Sequence, residues 1–131
     1  MSVLKILALV LVGLGLSASR RAAGPSVVEV TPEMTFQPRV LPIMSGETVV
    51  WKNTAAASHS VNTVPENCLT EEGKQWILIP QDTSPFFSGE IKPGEEWRMK
   101  FEKPGTYQYL CTFHEHALMR GTILVSSAEV R

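Results

Sequence analysis

The chain has 131 residues, of which 44% are hydrophobic and 19% charged, with 12 Lys and Arg against 13 Asp and Glu. This composition predicts one folded domain and argues against a disordered, collagen-like or coiled-coil chain. The near-neutral charge, with no basic stripe, gives no support for nucleic-acid binding. Nine Gly and nine Pro, scattered along the chain, favour an all-β fold.

The N-terminus has the pattern of a secretory signal peptide. Lys5 precedes an apolar run from Ile6 to Leu16, and small residues follow the run. The run is shorter than the roughly 20 residues that a membrane-spanning helix needs, although Arg20-Arg21 directly after it leaves an uncleaved anchor as the alternative. We expect residues 1–25 to be the signal segment, cleaved near residues 18–23. Export to the periplasm or the extracellular space would follow, with no firm membrane anchor.

The remainder, residues 26–131, has the pattern of one domain of short strands separated by turns. Its β-branched and aromatic runs predict strands at Val27–Val30, Thr48–Lys52, Glu96–Phe101, Thr106–Cys111 and Gly121–Val125, an irregular edge segment from Met34 to Ile43, and a further short strand near His59. No segment holds apolar residues at helical spacing over a dozen residues. Seven or eight strands predict an all-β, two-sheet sandwich with an extended loop at residues 64–90.

The residues with distinctive chemistry are concentrated in two places, near His59 and from Cys111 to Met119. Cys111, His114 and Met119 lie within nine residues, in a loop between two predicted strands. A second imidazole must come from elsewhere, and His59 is the only histidine outside that loop. Two imidazoles, a thiolate and a weak axial thioether form the ligand set of a blue-copper electron-transfer site. The pattern therefore predicts one bound copper ion that alternates between Cu(I) and Cu(II).

Each of these residues also has a structural alternative. An exported protein with two cysteines would ordinarily pair Cys68 with Cys111 in a disulfide. Met119 alone would be a core methionine, and His59 alone a hydrogen-bonded structural histidine. His116 is an alternative ligand to His114, and we expect it instead to lie at the surface or beside the ligands.

From about Val27 to Val125 the chain resembles the cupredoxins, in particular the plastocyanin, pseudoazurin and halocyanin group. The residues that carry the resemblance are Phe36-Gln37-Pro38, Ser45 to Val49, Asn53, Tyr107 to His114 and Met119 to Thr122. The resemblance implies a Greek-key sandwich of eight strands, with His59, Cys111, His114 and Met119 as the copper ligands. The chain departs from the family pattern at Ser60, Phe113 and His116, and in the long stretch from Glu66 to Glu90.

The resemblance implies a mononuclear electron carrier, not an enzyme, that acts as a monomer. Its redox partners would dock transiently near His114, where Phe113, Ala117 and Leu118 supply apolar surface. Two other functions are alternatives. One is a copper enzyme or small-molecule-binding protein with an open coordination position, in which Glu115 or His116 intervenes, although we expect Glu115 to point to solvent. The other is a copper storage or delivery protein.

Overall fold

A computed structural model of the chain describes residues 24–128. The predicted signal segment and its cleavage region lie outside the described residues, apart from Gly24 and Pro25. Among residues 24–128, none of the helices has the length and apolar character needed to span a bilayer.

Within this range the chain forms seven strands and one short α-helix. The strands are β1 (Ser26–Val30), β2 (Phe36–Gln37), β3 (Val40–Met44), β4 (Thr48–Asn53), β5 (Glu96–Lys100), β6 (Gly105–Leu110) and β7 (Arg120–Ser126), and the helix is α1 (Glu71–Trp76). Two short 3₁₀ segments lie at Pro65–Asn67 and Thr112–Ala117. The predicted all-β, two-sheet sandwich is confirmed.

Both sheets mix parallel and antiparallel neighbours. The first sheet has the order β2-β1-β4-β5, in which only the β1–β4 pair is parallel. The second has the order β3-β7-β6, in which β3 and β7 are parallel and β6 and β7 antiparallel. The strand that leads to Cys111 and the strand that follows Met119 are therefore neighbours, so the loop between them closes at one end of the second sheet.

Aromatic side chains join the two sheets in the core. Trp51 on β4 is fully buried and lies beside Trp97 on β5, with ring centroids 5.2 Å apart. It also meets the ring of Tyr109 on β6 edge-on at 5.5 Å. The side chains of β5 alternate between the two faces of its sheet: Trp97 and Met99 pack against the core, while Arg98 and Lys100 are exposed.

The helix α1 was not predicted, because it is too short to show amphipathic periodicity in the sequence. Its start depends instead on local capping: the Thr70 side chain accepts a hydrogen bond from the Gly73 amide, and Glu71 and Glu72 lie in the first turn. The extended loop at residues 64–90 is therefore partly helical.

The predicted strand near His59 is a single bridge between His59 and Ile91.

We expect Tyr109→Phe to make the fold less sensitive to alkali. Burial raises the pKa of the Tyr109 phenol far above its usual value near 10, and a weak interaction with Trp51 opposes this only slightly. The unfolded chain ionises at the usual pKa, so rising pH above about 10 favours unfolding, by about 1.4 kcal/mol at pH 11. Urea titrations at about pH 9 and about pH 11 give the free energy of unfolding at each pH. Between these two values Tyr109→Phe should lose less of this free energy than the wild type.

Tyr107→Phe is the comparison for stability at neutral pH, since burial raises the pKa of Tyr107 as well and the two tyrosines differ in their hydrogen bonds. Neither the Tyr109 hydroxyl nor the Trp51 indole nitrogen makes a well-formed hydrogen bond within residues 24–128, whereas the Tyr107 hydroxyl donates to the Lys103 carbonyl at 2.7 Å. At neutral pH only Tyr107→Phe should lose about 1 kcal/mol of stability. Equal alkaline losses in wild type and Tyr109→Phe would contradict the prediction.

Candidate metal centre

Cys111 follows directly on β6 and is completely buried. Its backbone N–H donates to the Met119 carbonyl at 3.0 Å, which closes the loop from residue 111 to residue 119, here called the ligand loop. The thiol sulfur lies beside the segment that follows His59, where the Ser60 backbone N–H donates to Sγ at 3.4 Å. Cys111 is thus held from both sides by backbone groups.

His59 is held in place from the first half of the domain. It is buried, and its backbone exchanges two hydrogen bonds with Ile91, at 3.1 Å and 2.8 Å. The amide group of Asn53, at the end of β4, donates to the carbonyls of Ala57 and Ile91 at 2.9 Å and 2.8 Å. Asn53 therefore organises both sides of the turn that carries His59.

His114 approaches the same point from the ligand loop. It is partly buried, and its backbone dihedrals of φ −132° and ψ 35° interrupt the 3₁₀ segment there. Its Nδ1 atom lies 3.4 Å from the Cys111 sulfur, and Nδ1 of His59 lies 3.8 Å from the same sulfur. The two imidazole rings are 4.5 Å apart.

The three donor side chains form a compact cluster that suits a single metal ion. One donor atom each from His59, Cys111 and His114 lies within 4.8 Å of the others. A nitrogen and a sulfur bound at about 2.0 Å and 2.3 Å to one ion, at trigonal angles, are about 3.7 Å apart. The observed nitrogen–sulfur distances of 3.4 Å and 3.8 Å fall on either side of this value. The residues present therefore fit a metal ion.

Met119 lies at the end of the ligand loop and is 1% exposed. Its side chain belongs to the same buried cluster as Cys111, and its amide donates to the His114 carbonyl at 3.5 Å. A thioether, a thiolate and two imidazoles together are a donor set for copper in both of its common oxidation states.

Burial of the metal-free cluster favours the neutral forms of the Cys111 thiol and the His59 imidazole. Burial raises the pKa of the Cys111 thiol, and hydrogen bonds from Ser60 partly oppose that rise. Burial, and to a smaller degree the neighbouring His114, lowers the pKa of His59 and favours its neutral, ligating form. A bound cation would favour the thiolate, since a coordinating thiol is deprotonated.

Other predictions around the site have mixed outcomes. Cys68 and Cys111 are both free, so no disulfide joins them. Burial, then the nearby Glu115 carboxylate, raises the pKa of the Cys68 thiol, which favours an unreactive thiol at neutral pH. His116 is exposed. The expectation that Glu115 points to solvent is wrong: the residue is 6% exposed, because its carboxylate binds backbone amides of the 64–90 loop.

Ser60 is a site residue that sequence reasoning identified only as a departure from the family pattern. Its hydroxyl oxygen accepts a hydrogen bond from the Thr112 amide at 3.0 Å and lies 3.8 Å from the Cys111 sulfur. It is fully buried. One short side chain therefore links the His59 turn to the ligand loop, a role that depends on tertiary contact and has no signal in the local sequence.

Comparison with known proteins agrees with the fold and the donor set. A family model described as copper binding proteins of the plastocyanin/azurin family matches residues 26–126. A plastocyanin from Scenedesmus fuscus is 34% identical over 96 residues, covering 70% of this chain and 87% of the relative. Amicyanin-alpha from Methylorubrum extorquens is 29% identical over 103 residues, covering 79% of this chain and 73% of the relative.

Solved structures give the same result. The reduced state of an amicyanin mutant matches with a TM-score of 0.60 and 27% identity, over 82% of this chain and 87% of that chain. A copper-containing nitrite reductase from Thermus scotoductus SA-01 matches with a TM-score of 0.62 and 26% identity, over 81% of this chain but 23% of the reductase chain. The likeness to the reductase is therefore to one part of a larger protein.

The two mixed sheets and the cluster of imidazoles and thiol are those of a cupredoxin. The chain belongs to the plastocyanin/azurin family of copper-binding proteins. It is accordingly a blue-copper electron-transfer protein, and its cofactor is copper.

We expect Ser60→Ala to destabilise the metal-free protein by about 1–3 kcal/mol, because the buried Thr112 amide loses its acceptor. Ser58→Ala is the control from the same turn, since its hydroxyl donates only to the exposed Glu90 carboxylate. That variant should change stability by less than about 0.5 kcal/mol. Urea unfolding of both variants measures the free energy of unfolding. Equal losses of stability in the two variants would contradict the prediction.

Proposed function

We propose that the mature protein, residues 26–131, carries single electrons between redox partners outside the cytoplasm. In this proposal His59, Cys111, His114 and Met119 hold one copper ion. The observation that carries it is the convergence of the two histidine Nδ1 atoms on the buried Cys111 sulfur. Copper in such a site supplies one-electron exchange between its two oxidation states.

The surrounding residues suit electron transfer because they restrict change at the site. The donors come from two stretches that are cross-linked by backbone hydrogen bonds, so the donor positions are fixed without the metal. Burial of Cys111, His59 and Met119 keeps water away from three of the four donors. A site that neither rearranges nor rehydrates on reduction has a small reorganisation cost, which is what a carrier needs.

His114 is the donor from which an electron would leave the protein. It is the least buried of the four, and exposed apolar side chains surround it in the ligand loop: Phe113 is 49% exposed, Leu118 is 55% exposed and Ala117 is exposed. Phe87 from the 64–90 loop is 43% exposed, whereas Phe86 packs on the core. An apolar surface beside the exit ligand suits the small interfaces of transient redox encounters.

The second candidate is a catalytic copper protein, which the likeness to a nitrite reductase favours. Such a protein needs an open coordination position, for example one reached by Glu115. The Glu115 carboxylate is already engaged by Thr70 and Leu69, so it is not free to take that role. This engagement supports the carrier over the enzyme.

The visible and paramagnetic-resonance spectra of the copper-loaded protein test the ligand assignment. We expect intense blue absorption, and its loss in Cys111→Ser, because the colour arises from the copper–thiolate bond. Cys68→Ser is the matched control, since Cys68 is the other free cysteine and its side chain contacts Asn62 and Val64. Retained colour in Cys111→Ser would contradict the assignment. A wild-type spectrum that indicates water bound to the copper would favour the catalytic protein.

We expect Phe113→Ser to slow electron self-exchange of the loaded protein by at least about fivefold, because it removes apolar surface beside the exit ligand. Leu124→Ser is the control: Leu124 is also exposed, but it lies on β7 about 13 Å along the strand from Arg120 at the site end. Nuclear magnetic resonance line broadening in mixtures of the two oxidation states gives the rate. Equal rates in both variants would place docking elsewhere.

A further inference from the structure

Residues 64–80, here called the 64–80 segment, form the part of the long loop that lies against the metal centre. The segment contains the 3₁₀ turn Pro65–Asn67 and the helix α1. It contacts the chain at three places: just before the ligand loop, inside it, and just after it. These contacts come from different side chains and are described in turn.

Before the ligand loop, the segment covers the free edge of β6. Leu78 and Gln108 exchange two backbone hydrogen bonds, at 2.7 Å and 3.3 Å. The indole N–H of Trp76 donates to the Tyr109 carbonyl at 2.9 Å. Tyr109 lies two residues before Cys111, so these bonds hold the strand that delivers the sulfur.

Inside the ligand loop, the contact is made by Glu115, which directly follows His114. Its buried carboxylate accepts hydrogen bonds from the Leu69 amide, the Thr70 amide at 3.2 Å and the Thr70 hydroxyl at 3.0 Å. Bonds to a carboxylate are stronger than those between neutral groups. The same Thr70 oxygen accepts from the Gly73 amide at 2.9 Å, so the helix cap and the Glu115 contact share one hydroxyl.

After the ligand loop, the segment reaches Arg120, which directly follows Met119. The guanidinium carbon of Arg120 lies 5.2 Å from the centre of the Trp76 ring, within the range of a cation–π interaction. Trp76 thus touches the chain on both sides of the loop, through its N–H on one side and its ring on the other.

We propose that the 64–80 segment clamps the ligand loop in its metal-binding conformation, with Glu115 as the central positioning residue. This inference rests on the proposed function, since it assumes that the loop carries copper ligands. Glu115 acts through the backbone of His114 and does not touch the metal. Its role is to keep the loop from opening, both in the metal-free protein and during the lifetime of the bound ion.

The first test compares Glu115→Gln with Glu72→Gln, which removes an exposed carboxylate from the first turn of α1. In Glu115→Gln the new amide nitrogen would face backbone donors, so the contact is weakened with almost no change in volume. Copper loss into an excess of chelator should become about 10- to 100-fold faster, the range seen when groups that support metal ligands are lost. Glu72→Gln should match wild type. In the metal-free protein, the Leu69 and Thr70 amides should exchange with solvent faster only in Glu115→Gln.

The second test uses Gly73, where a methyl group would collide with the clamp. A Cβ atom there would lie 2.0 Å from Oε1 of Glu115, and the carboxylate, as the end of a flexible side chain, would have to move. Gly73→Ala should therefore accelerate copper loss as Glu115→Gln does, although alanine favours the helix. In a Glu115→Ala background the collision with the carboxylate is gone and only a tight approach to the Thr70 hydroxyl oxygen remains, so adding Gly73→Ala should change the rate by less than about twofold.

The outcomes separate this proposal from the proposed function. A wild-type protein without the blue spectrum would refute the ligand assignment itself. A blue wild type whose Glu115→Gln and Gly73→Ala variants lose copper within twofold of its rate would overturn the clamp alone. If urea unfolding showed Glu115→Gln to be less stable but copper loss were unchanged, Glu115 would be a stabilising residue only, and the clamp would again be refuted.

Discussion

The site depends on the hydrogen bonds that join the turn carrying His59 to the end of β6. Asn62 and Leu110 exchange two backbone hydrogen bonds, at 2.9 Å and 3.1 Å. Next to this pair, the Ser60 amide donates to the Cys111 sulfur. These residues are about fifty positions apart in sequence. Without this junction the imidazole from the first half of the domain would have no fixed position relative to the sulfur.

The junction also explains why the donors are arranged before any metal binds. Three of the donors are held by backbone groups: His59 by Ile91, Cys111 by Ser60 and Met119, and His114 by Cys111 and Met119. The loss of conformational freedom is therefore part of folding and does not have to accompany metal binding. A preformed site of this kind is suited to an ion that must change oxidation state without a change of surroundings.

The sandwich and the grouping of Cys111 with two histidines could be predicted because both leave signals in the sequence. Strand alternation and turns marked by Gly and Pro identify the sheets, and the spacing of Cys111, His114 and Met119 is compact enough to read directly. The role of Ser60 and the burial of Glu115 could not be predicted, since each depends on a partner more than forty residues away. The helix α1 was missed for a different reason: it is six residues long and depends on a cap rather than on an apolar face.

The parallel pairing of β3 with β7 affects how the protein folds, because the two strands are far apart in sequence. Val40 lies opposite Thr122, so the second sheet cannot assemble until almost the whole chain is available. Folds dominated by such distant pairings form slowly, over milliseconds to seconds. Since β6 and β7 also bracket the ligand loop, a chain that still lacks β7 has neither the closed loop nor the complete donor cluster.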